Sequence, residues 1–455
     1  VWLGTGRGLS RVDLDDACIE VIGSDDGLGR GGVSALVVTD TVIWAATAYT
    51  EEVQGSYYPA GGGVGFSRDG GATWTWMDQP VDPPDVEDYH PTTTNIQNVT
   101  YDIALSESAV WITSWGGGLR KMIYGGDGWQ VVTPDGRPFS ALLYYSHRAF
   151  SAVFADGTLF IGTAAGIFRT SNEGADWQQS SFEVGAPSIS GNFITALAVQ
   201  ETGGLASIWA ATWRAEGAYE YNGVSVSSDN GANWTVALSD STVLPSGDFL
   251  IDRFGPLKVH KFGFRGATVY VAADRGLWVS FDNGNYWGDG PLQTITDSST
   301  GEQFRDVDFY SAAAVGDSLW IGTDAGLAVG WWDSDAGGYV WRIHRAHRTP
   351  GAAGQPETYA YPNPFSPRRG QITRFQVRVD RTAEASYRIW DFAMQPVYSS
   401  TPITLPGGGV DDMAGYGALR WDGRNSEGRI VANGVYFYRV KVGDRRWWGK
   451  IMVLD

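Results

Sequence analysis

Short apolar strands with an aromatic second residue, and usually a small fourth one, recur seven times: VWLGT from Val1, IWAAT from Ile43, VWITS from Val110, LFIGT from Leu159, IWAAT from Ile208, VYVAA from Val269 and LWIGT from Leu319. The aromatics, Trp2, Trp44, Trp111, Phe160, Trp209, Tyr270 and Trp320, are spaced by 42, 67, 49, 49, 61 and 50 residues. No window sustains a 3.6-residue apolar period, so the pattern is that of strands rather than helices. A period near 45 to 50 residues in an all-β chain predicts propeller blades, because each small sheet can bury its faces only against its neighbours.

Each repeat resolves into four strands, A to D, with A innermost. The fourth shows it best: A near 149–155, B at 159–163, C at 167–171, then a tight turn into D at Trp177. Comparable A strands stand at 33–38, 101–106, 194–199, 260–265 and 308–315. That makes six A strands for seven B strands. The expectation is therefore that residues precede Val1 in the native protein, or that another segment closes the ring. A start at Val in mid-repeat agrees with loss of an upstream export signal.

A second signature, Ser-x-Asp-x-Gly-x-x-Trp, occupies the C-to-D turns. It reads Ser67, Asp69, Gly71, Trp74 in the second repeat, Ser227, Asp229, Gly231, Trp234 in the fifth and Ser280, Asp282, Gly284, Trp287 in the sixth. The fourth carries the variant Thr170, Asn172, Gly174, Trp177, and the seventh keeps Ser334, Gly338 and Trp341 with Ala336 in the Asp position. A short Asp or Asn accepts hydrogen bonds from turn amides, Gly takes the positive-φ position, and Trp folds back between sheets. These residues resemble the Asp-box, or BNR-like, repeat of sialidases, xyloglucanases, sortilin-type receptors and a photosystem-assembly factor. The resemblance implies a propeller and a structural role for the box, which in those families lies away from the active face. The IGTxxGL phrasing of VWLGTGRGLSRVD and LWIGTDAGLAVGW is similar to propeller repeats of two-component sensor ectodomains.

In a four-stranded blade the A-to-B and C-to-D turns share one face, and the B-to-C and D-to-A connections share the other. The long insertions all fall in the second class: 49–63, 80–98, 213–223, 240–258 and 288–306. Connections of that size tend to carry function. The binding candidates on this inserted face are Tyr57, Tyr58, Asp88, Tyr89, His90, Trp213, Tyr219 and Tyr221, accompanied by Glu51, Glu52, Asp82, Asp85, Glu87, Glu216 and Glu220. Aromatics beside carboxylates suit a sugar or a protein partner. Loop carboxylates also offer oxygen ligands to Ca²⁺, but no ordered calcium-loop motif is present, so no cofactor and no metal are assigned.

Charge narrows the partners. The 455 residues carry a net charge of −18; 14 Lys and Arg against 10 Asp and Glu leave +4 from residue 351 onward, and the first 350 residues hold −22. So acidic a surface repels phosphate backbones and anionic lipid, which argues against nucleic acid. There is no transmembrane run, and the lone Cys18 excludes an internal disulfide. No nucleophile elbow, P-loop or dinucleotide fingerprint occurs, and no catalytic residue is assigned. The five histidines form no metal-spaced cluster; Ser146-His147 and the His344/His347 pair are read as surface or strand residues. An Arg-Ile-Pro segment of the sialidase kind is absent.

After a Pro, Gly and Ala-rich stretch the pattern changes to short alternating strands with close turns, as in a small β-sandwich. Three motifs stand in order: Tyr361, Pro362, Asn363, Pro364, Phe365; then Trp421, Asp422, Gly423, Arg424; then Gly434, Val435, Tyr436, Phe437, Tyr438 with Lys450. They resemble the Ig-like domain of flagellar hook-cap proteins and the type A C-terminal sorting domains of type IX secretion. That resemblance implies a folded address read by an outer-membrane translocon, and a final location at the outer cell surface or outside the cell.

The expected domains are a seven-bladed propeller over 1–346, a linker over 347–358 and the Ig-like domain over 359–455. The leading functional reading is a secreted, non-enzymatic binding or assembly protein that meets a protein, another copy of itself or a glycan through the inserted face. A polysaccharide-acting, sialidase-like glycoside hydrolase and a structural subunit of an extracellular layer or filament are the alternatives.

Overall fold

The computed structural model describes the chain except residues 7, 13–18, 55, 83–92, 127, 216–219, 244–248, 252–253, 275, 306, 336, 346–357, 362, 370–371, 380–381, 406–408, 411–418 and 455. The described residues are strands and turns, with three 3₁₀ turns, Ser24–Asp26, Tyr145–His147 and Pro367–Arg369, as the helical pieces. No described helix is long and apolar enough to cross a membrane. Two compact units divide the chain: Val1–Val269 with Ser280–Trp287, and Tyr270–Val279 with Gly288–Asp455.

In the first unit the repeats form successive antiparallel sheets, each in simple sequence order. The first has three strands, Trp2–Thr5, Gly8–Val12 and Ile19–Ile22; the second has four, Gly32–Val38, Ile43–Val53, Ser56–Ser67 and Thr75–Met77. The third starts with Thr100–Leu105 and Ala109–Ser114, the fourth with Ala149–Ala155 and Thr158–Thr163, and the fifth with Ile194–Thr202 and Leu205–Thr212. The division between units falls within the sixth repeat, whose strands are Val259–Arg265, Thr268–Ala273 and Gly276–Ser280.

A strands of consecutive sheets touch, from the second repeat through to the sixth. B strands are apolar throughout because both their faces are covered, and every residue of Ala109–Ser114 and Thr158–Thr163 is buried. The cores accordingly lie between sheets: Trp44, Val64, Ile103 and Ile112 join the second to the third, and Trp111, Leu119, Ala152 and Ile161 the third to the fourth. Phe160, Ile167, Leu197 and Ile208 join the fourth to the fifth. Small residues such as Ala45 and Ala46 in IWAAT leave room for the neighbouring sheet's large ones.

The inserted segment 49–63 is not a loop. It continues strands B and C as one long hairpin, paired from Ile43 with Ser67 to Val53 with Ser56, because the aromatic and β-branched Tyr49, Thr50, Val53, Tyr57 and Tyr58 suit a twisted two-stranded ribbon. Short hairpins also occupy parts of 240–258 (Ser241–Val243 with Phe249–Ile251) and of 288–306 (Thr294–Thr296 with Gln303–Arg305).

The second unit contains the four-stranded sheet of the seventh sequence repeat, Phe309–Val315, Ser318–Thr323, Gly326–Asp333 and Gly338–Arg345, and two C-terminal sheets. One of these is built on Thr358–Tyr361 and Thr373–Val379; the other orders Pro396–Ser399, Ala383–Trp390, Gly434–Val442 and Arg445–Val453. They enclose a common core of Phe365, Phe375, Tyr387, Ile389, Trp421, Tyr438 and Ile451.

The three C-terminal motifs meet in that core. Phe365 lies 5.6 Å from Trp421, and Trp421 lies 5.8 Å from Tyr436, ring to ring. Asn363 donates to the Lys450 carbonyl at 2.9 Å and accepts from Met452 N–H at 2.8 Å, clamping the first motif to the last strand. Trp421 Nε1 donates to the Arg424 carbonyl at 2.8 Å, and Gly423 has φ +75° with its missing Cβ only 2.1 Å from Pro367. Gly434, Val435, Phe437 and Lys450 sit on paired strands, Phe437 directly opposite Lys450. Pro362 lies outside the described residues.

Candidate functional site

The two ends of the sheets in the first unit differ in kind. At one end the box turns repeat a single hydrogen-bond pattern. Ser67 Oγ donates to Asp69 Oδ1 at 2.8 Å and accepts from Gly71 N–H at 2.8 Å, while the Thr73 N–H donates to Asp69 Oδ1 at 2.9 Å. Ser227, Asp229 and Gly231 do the same, with distances of 2.8 Å, as do Ser280, Asp282 and Gly284 at 2.8 and 2.9 Å. In the fourth repeat Thr170 donates to Asn172 Oδ1 at 2.8 Å and accepts from Gly174 at 3.0 Å. Hydrogen bonds from the Thr73 hydroxyl and N–H hold the Asp69 carboxyl down at about 2, and those from the Asn233 side chain and N–H hold Asp229 at about 2. These donors stabilise the ionised form.

The box glycines also explain the first signature. Each lies against the second-position aromatic of the preceding repeat: Gly71 on Trp2, Gly174 on Trp111, Gly231 on Phe160 and Gly284 on Trp209. A Cβ on Gly284 would stand 2.5 Å from Trp209, and its φ is +84°. The box tryptophans close the same joints, Trp177 edge-on to Trp111 and Trp287 edge-on to Trp209, both at 6.3 Å. Trp74 Nε1 donates to the Gly71 carbonyl at 3.2 Å and Trp234 Nε1 to Ser180 Oγ at 3.2 Å. Aromatic and box are therefore two halves of one inter-sheet joint.

At the other end an aromatic ladder runs across consecutive A strands. Tyr101 lies 5.8 Å from Phe150, Phe150 is 4.7 Å from Phe193, Phe193 is 6.5 Å from Trp213, and Trp213 is 5.7 Å from His260. The backbone sets this up. The A strands slip register against their B strands at equivalent places, between Val33 and Ala35, Thr100 and Asp102, Ala149 and Ser151, and Ile194 and Ala196. Each slip leaves one residue out of the ladder, and Tyr101 and Phe150 are two of these. Trp213 is fixed from both sides: its N–H donates to the Phe193 carbonyl at 3.0 Å and its Nε1 to the Val259 carbonyl at 2.9 Å. Tyr101 is 36% exposed, and burial of the rest raises the pKa of its hydroxyl.

Charge accompanies the rings. Lys258 Nζ lies 5.6 Å from the Trp213 centroid. Lys261, from the sixth repeat, reaches Asp102 of the third at 3.5 Å, so the A strands of these two repeats face each other over a narrow gap. Asp102 is buried and also accepts from Ser151 Oγ at 2.9 Å and Ala152 N–H at 3.2 Å. The arrangement is an aromatic mouth with cations beside it and a hydrogen-bonded carboxylate on the adjoining strand.

Of the binding candidates named from sequence, Trp213 belongs to this mouth. Tyr57 is half-buried on the long hairpin and donates to Glu52 at 3.0 Å; Tyr58 is half-buried opposite Glu51. Tyr221 packs on Phe182 at 6.4 Å, with its hydroxyl pKa raised by burial. Asp88, Tyr89, His90 and Tyr219 lie outside the described residues. Two acids of the inserted face are structural: Asp82 pairs with Arg120 at 2.8 Å, both buried, and Glu220 is buried and accepts from Asn192 at 2.8 Å. The reading of Ser146-His147 as surface is corrected as well. His147 is buried, its Nε2 lies 2.8 Å from Asp135 and its Nδ1 accepts from Ser140 N–H at 2.9 Å, while Ser146 Oγ donates to Asp135 at 2.6 Å. The ring stacks on Phe139, which drew it inward.

Sequence reasoning missed Tyr101, Phe150, Phe193 and His260. Their only signal was an aromatic at or just before the start of an A strand.

The second unit holds one carboxylate pair of note. Asp308 N–H donates to Asp324 Oδ1 at 3.3 Å and Asp324 N–H to the Asp308 carbonyl at 3.2 Å. Burial and then Asp308 push the Asp324 carboxyl up, with Arg374 opposing. Among the described residues no three His, Cys, Asp or Glu gather in a metal-binding cluster.

No family model matches the sequence, and no curated protein matches it. Among solved structures, the Niastella koreensis GH74 enzyme superposes with a TM-score of 0.53 at 14% identity, covering 99% of this chain and 70% of that one. An ancestral GH74 enzyme gives 0.49 at 14% identity, over 99% of this chain and 60% of its own. PorZ, an essential bacterial surface component of the type-IX secretion system of Porphyromonas gingivalis, gives 0.48 at 15% identity; this chain spans 63% of its length. The likeness to the Niastella enzyme establishes fold alone, an all-β arrangement of the β-propeller type.

Proposed function

We propose that the chain is a secreted, surface-displayed, non-enzymatic binding protein: a seven-bladed Asp-box propeller over 1–346, joined through 347–358 to an Ig-like sorting domain over 359–455. Its propeller engages a protein or glycan partner at the aromatic mouth. The observation that carries this reading is the Tyr101, Phe150, Phe193, Trp213 and His260 ladder, rings packed on one another around a Trp213 indole that is hydrogen-bonded to backbone, yet left partly open to solvent. Preorganised aromatics bind at low ordering cost. The convergence of the three C-terminal motifs in one core supports the sorting-domain part, which implies export through type IX-like machinery. Calcium has no support beyond scattered loop acids, and no cofactor enters the proposal.

The test is a photo-crosslinker placed at position 101 in the full chain displayed on cells. An adduct with a foreign protein or glycan at 101, abolished by Trp213→Ala, supports the reading. No adduct at 101, with a folded chain on the surface, contradicts it.

One observation favours a second reading, a polysaccharide-acting hydrolase. Asp324, with its raised pKa beside Asp308, has the character of a general acid. Hydrolysis of β-glucans or sialosides by the intact chain that disappears in Asp324→Asn would establish it.

A further inference from the structure

The outer face of the larger C-terminal sheet has an unusual composition. Three cross-strand rows face solvent: Ser386, Lys441 and Arg446; Arg388, Arg439 and Trp448; Trp390, Phe437 and Lys450. These nine positions hold five cations, three aromatics and one serine, and no carboxylate; Glu384 and Asp444 stand at one end of the sheet. Arg388 lies directly opposite Arg439, and Lys441 directly opposite Arg446. Like charges paired in this way weaken a sheet. Burial, then Arg446 and Arg388, lower the Arg439 pKa. The guanidinium of Arg439 is held over Trp390 at 5.3 Å and over Trp448 at 5.5 Å, and those rings lie 4.9 Å apart. Trp448 is 50% exposed. A cationic and aromatic surface kept at a cost in stability is a docking face for something acidic.

The matching surface is on the chain itself. At the box-turn end of the first unit, the A-to-B corners of the second to fifth repeats each present an exposed acid, Asp40, Glu107, Asp156 and, at the strand end, Glu201. The capping Asp69, Asp229 and Asp282 are exposed on the C-to-D turns beside them. The joints that seat Gly71, Gly174, Gly231 and Gly284 on the preceding sheet bring all these turns to one rim. Of the rim's cations, Lys121 is tied to Glu173 at 3.6 Å and Arg169 to the Asn230 carbonyl, with Arg68 and Arg265 beside them.

We infer that the cationic sheet face of one copy docks on the acidic turn rim of a second copy, making a head-to-tail contact. The two surfaces differ, so the contact is heterologous and propagates into open chains unless the rotation closes. It leaves the aromatic mouth at the opposite end of the sheets unoccupied, so it stands or falls separately from the binding reading above. The net charge of −18 on each copy opposes approach at very low ionic strength. Screening over about 10 Å at 0.1 M salt removes that long-range repulsion before it removes the close pairs. Self-association then peaks near 0.1 M salt and is lost toward 1 M, where the screening length is about 3 Å.

Sedimentation velocity of the full chain over a salt series tests this. The expected result is concentration-dependent chains at intermediate salt, weakened at least ~10-fold by the surface change Arg439→Glu with Arg446→Glu. Partial rescue is expected when that variant is mixed with one carrying Glu107→Lys and Glu201→Lys, with near-ultraviolet circular dichroism unchanged throughout. A wild type that stays monomeric at every salt concentration overturns the inference. So does a wild type that stays monomeric and binds polygalacturonate through Arg439 and Arg446, which would make an acidic glycan the occupant.

Discussion

The turn rim and the aromatic mouth lie at opposite ends of the same sheets, yet they obey different rules. At the rim one pattern repeats: hydroxyl to carboxylate, glycine against the previous aromatic, tryptophan across the joint. At the mouth the backbone repeats but the side chains do not, for the slipped position holds Ser34, Tyr101, Phe150 and Thr195 in turn. Repetition marks what every sheet needs in order to pack. Departure from repetition, on a backbone that still repeats, marks what one surface needs in order to recognise a partner.

The largest effects separating the two regions should come from the joints. Trp209→Ala removes a fully buried ring and is expected to cost about 3–5 kcal/mol in urea unfolding. Gly284→Ala, which sets a methyl 2.5 Å from that ring at positive φ, should cost about 1–3 kcal/mol while leaving the crosslink at position 101 intact. At the mouth, Trp213→Ala should lower partner affinity at least ~10-fold, near 1.4 kcal/mol, with a smaller change in stability. A Trp213 variant that unfolded as readily as the Trp209 one would erase the distinction.

The smallest effect is a pH dependence confined to the rim. Asp69 and Asp229 titrate lower in the folded chain, at about 2, than in the unfolded chain, near 3.8. Their contribution is complete above pH 4 and is lost as the pH falls through the folded value. Asp69→Asn with Asp229→Asn should therefore unfold at a lower temperature than wild type above pH 4 and converge with it as the pH falls toward 2. A gap between the two that stayed constant from pH 6 to pH 2 would show that the carboxylates add nothing through their charge.

The strands and joints were legible in the sequence because close packing leaves few choices: Ala46 is fully buried, a Cβ at Gly284 would meet Trp209, and a short acceptor at Asp69 closes the turn. The mouth was hidden because its rings come from unlike places, Tyr101 and Phe150 from slipped positions, Phe193 from just before an A strand and His260 from within one, so that no spacing announces them. The long insertions carry the conspicuous aromatics and acids, but there Tyr57 is engaged by Glu52 and Asp82 by Arg120. Trp213 was found because it stands beside an insertion; Phe150, one strand away, gave no such sign. His147 was misread because a Ser-His dipeptide looks polar, whereas Phe139 and Asp135 together provide it with a buried, hydrogen-bonded seat.

The most direct measurement is paired photo-crosslinking in the intact chain on cells, from position 101 in the mouth and from position 156 on the rim. The account predicts an adduct with a foreign partner at 101, lost in Trp213→Ala, and at 156 nothing but copies of the chain itself. A foreign adduct at 156 with none at 101 would contradict it.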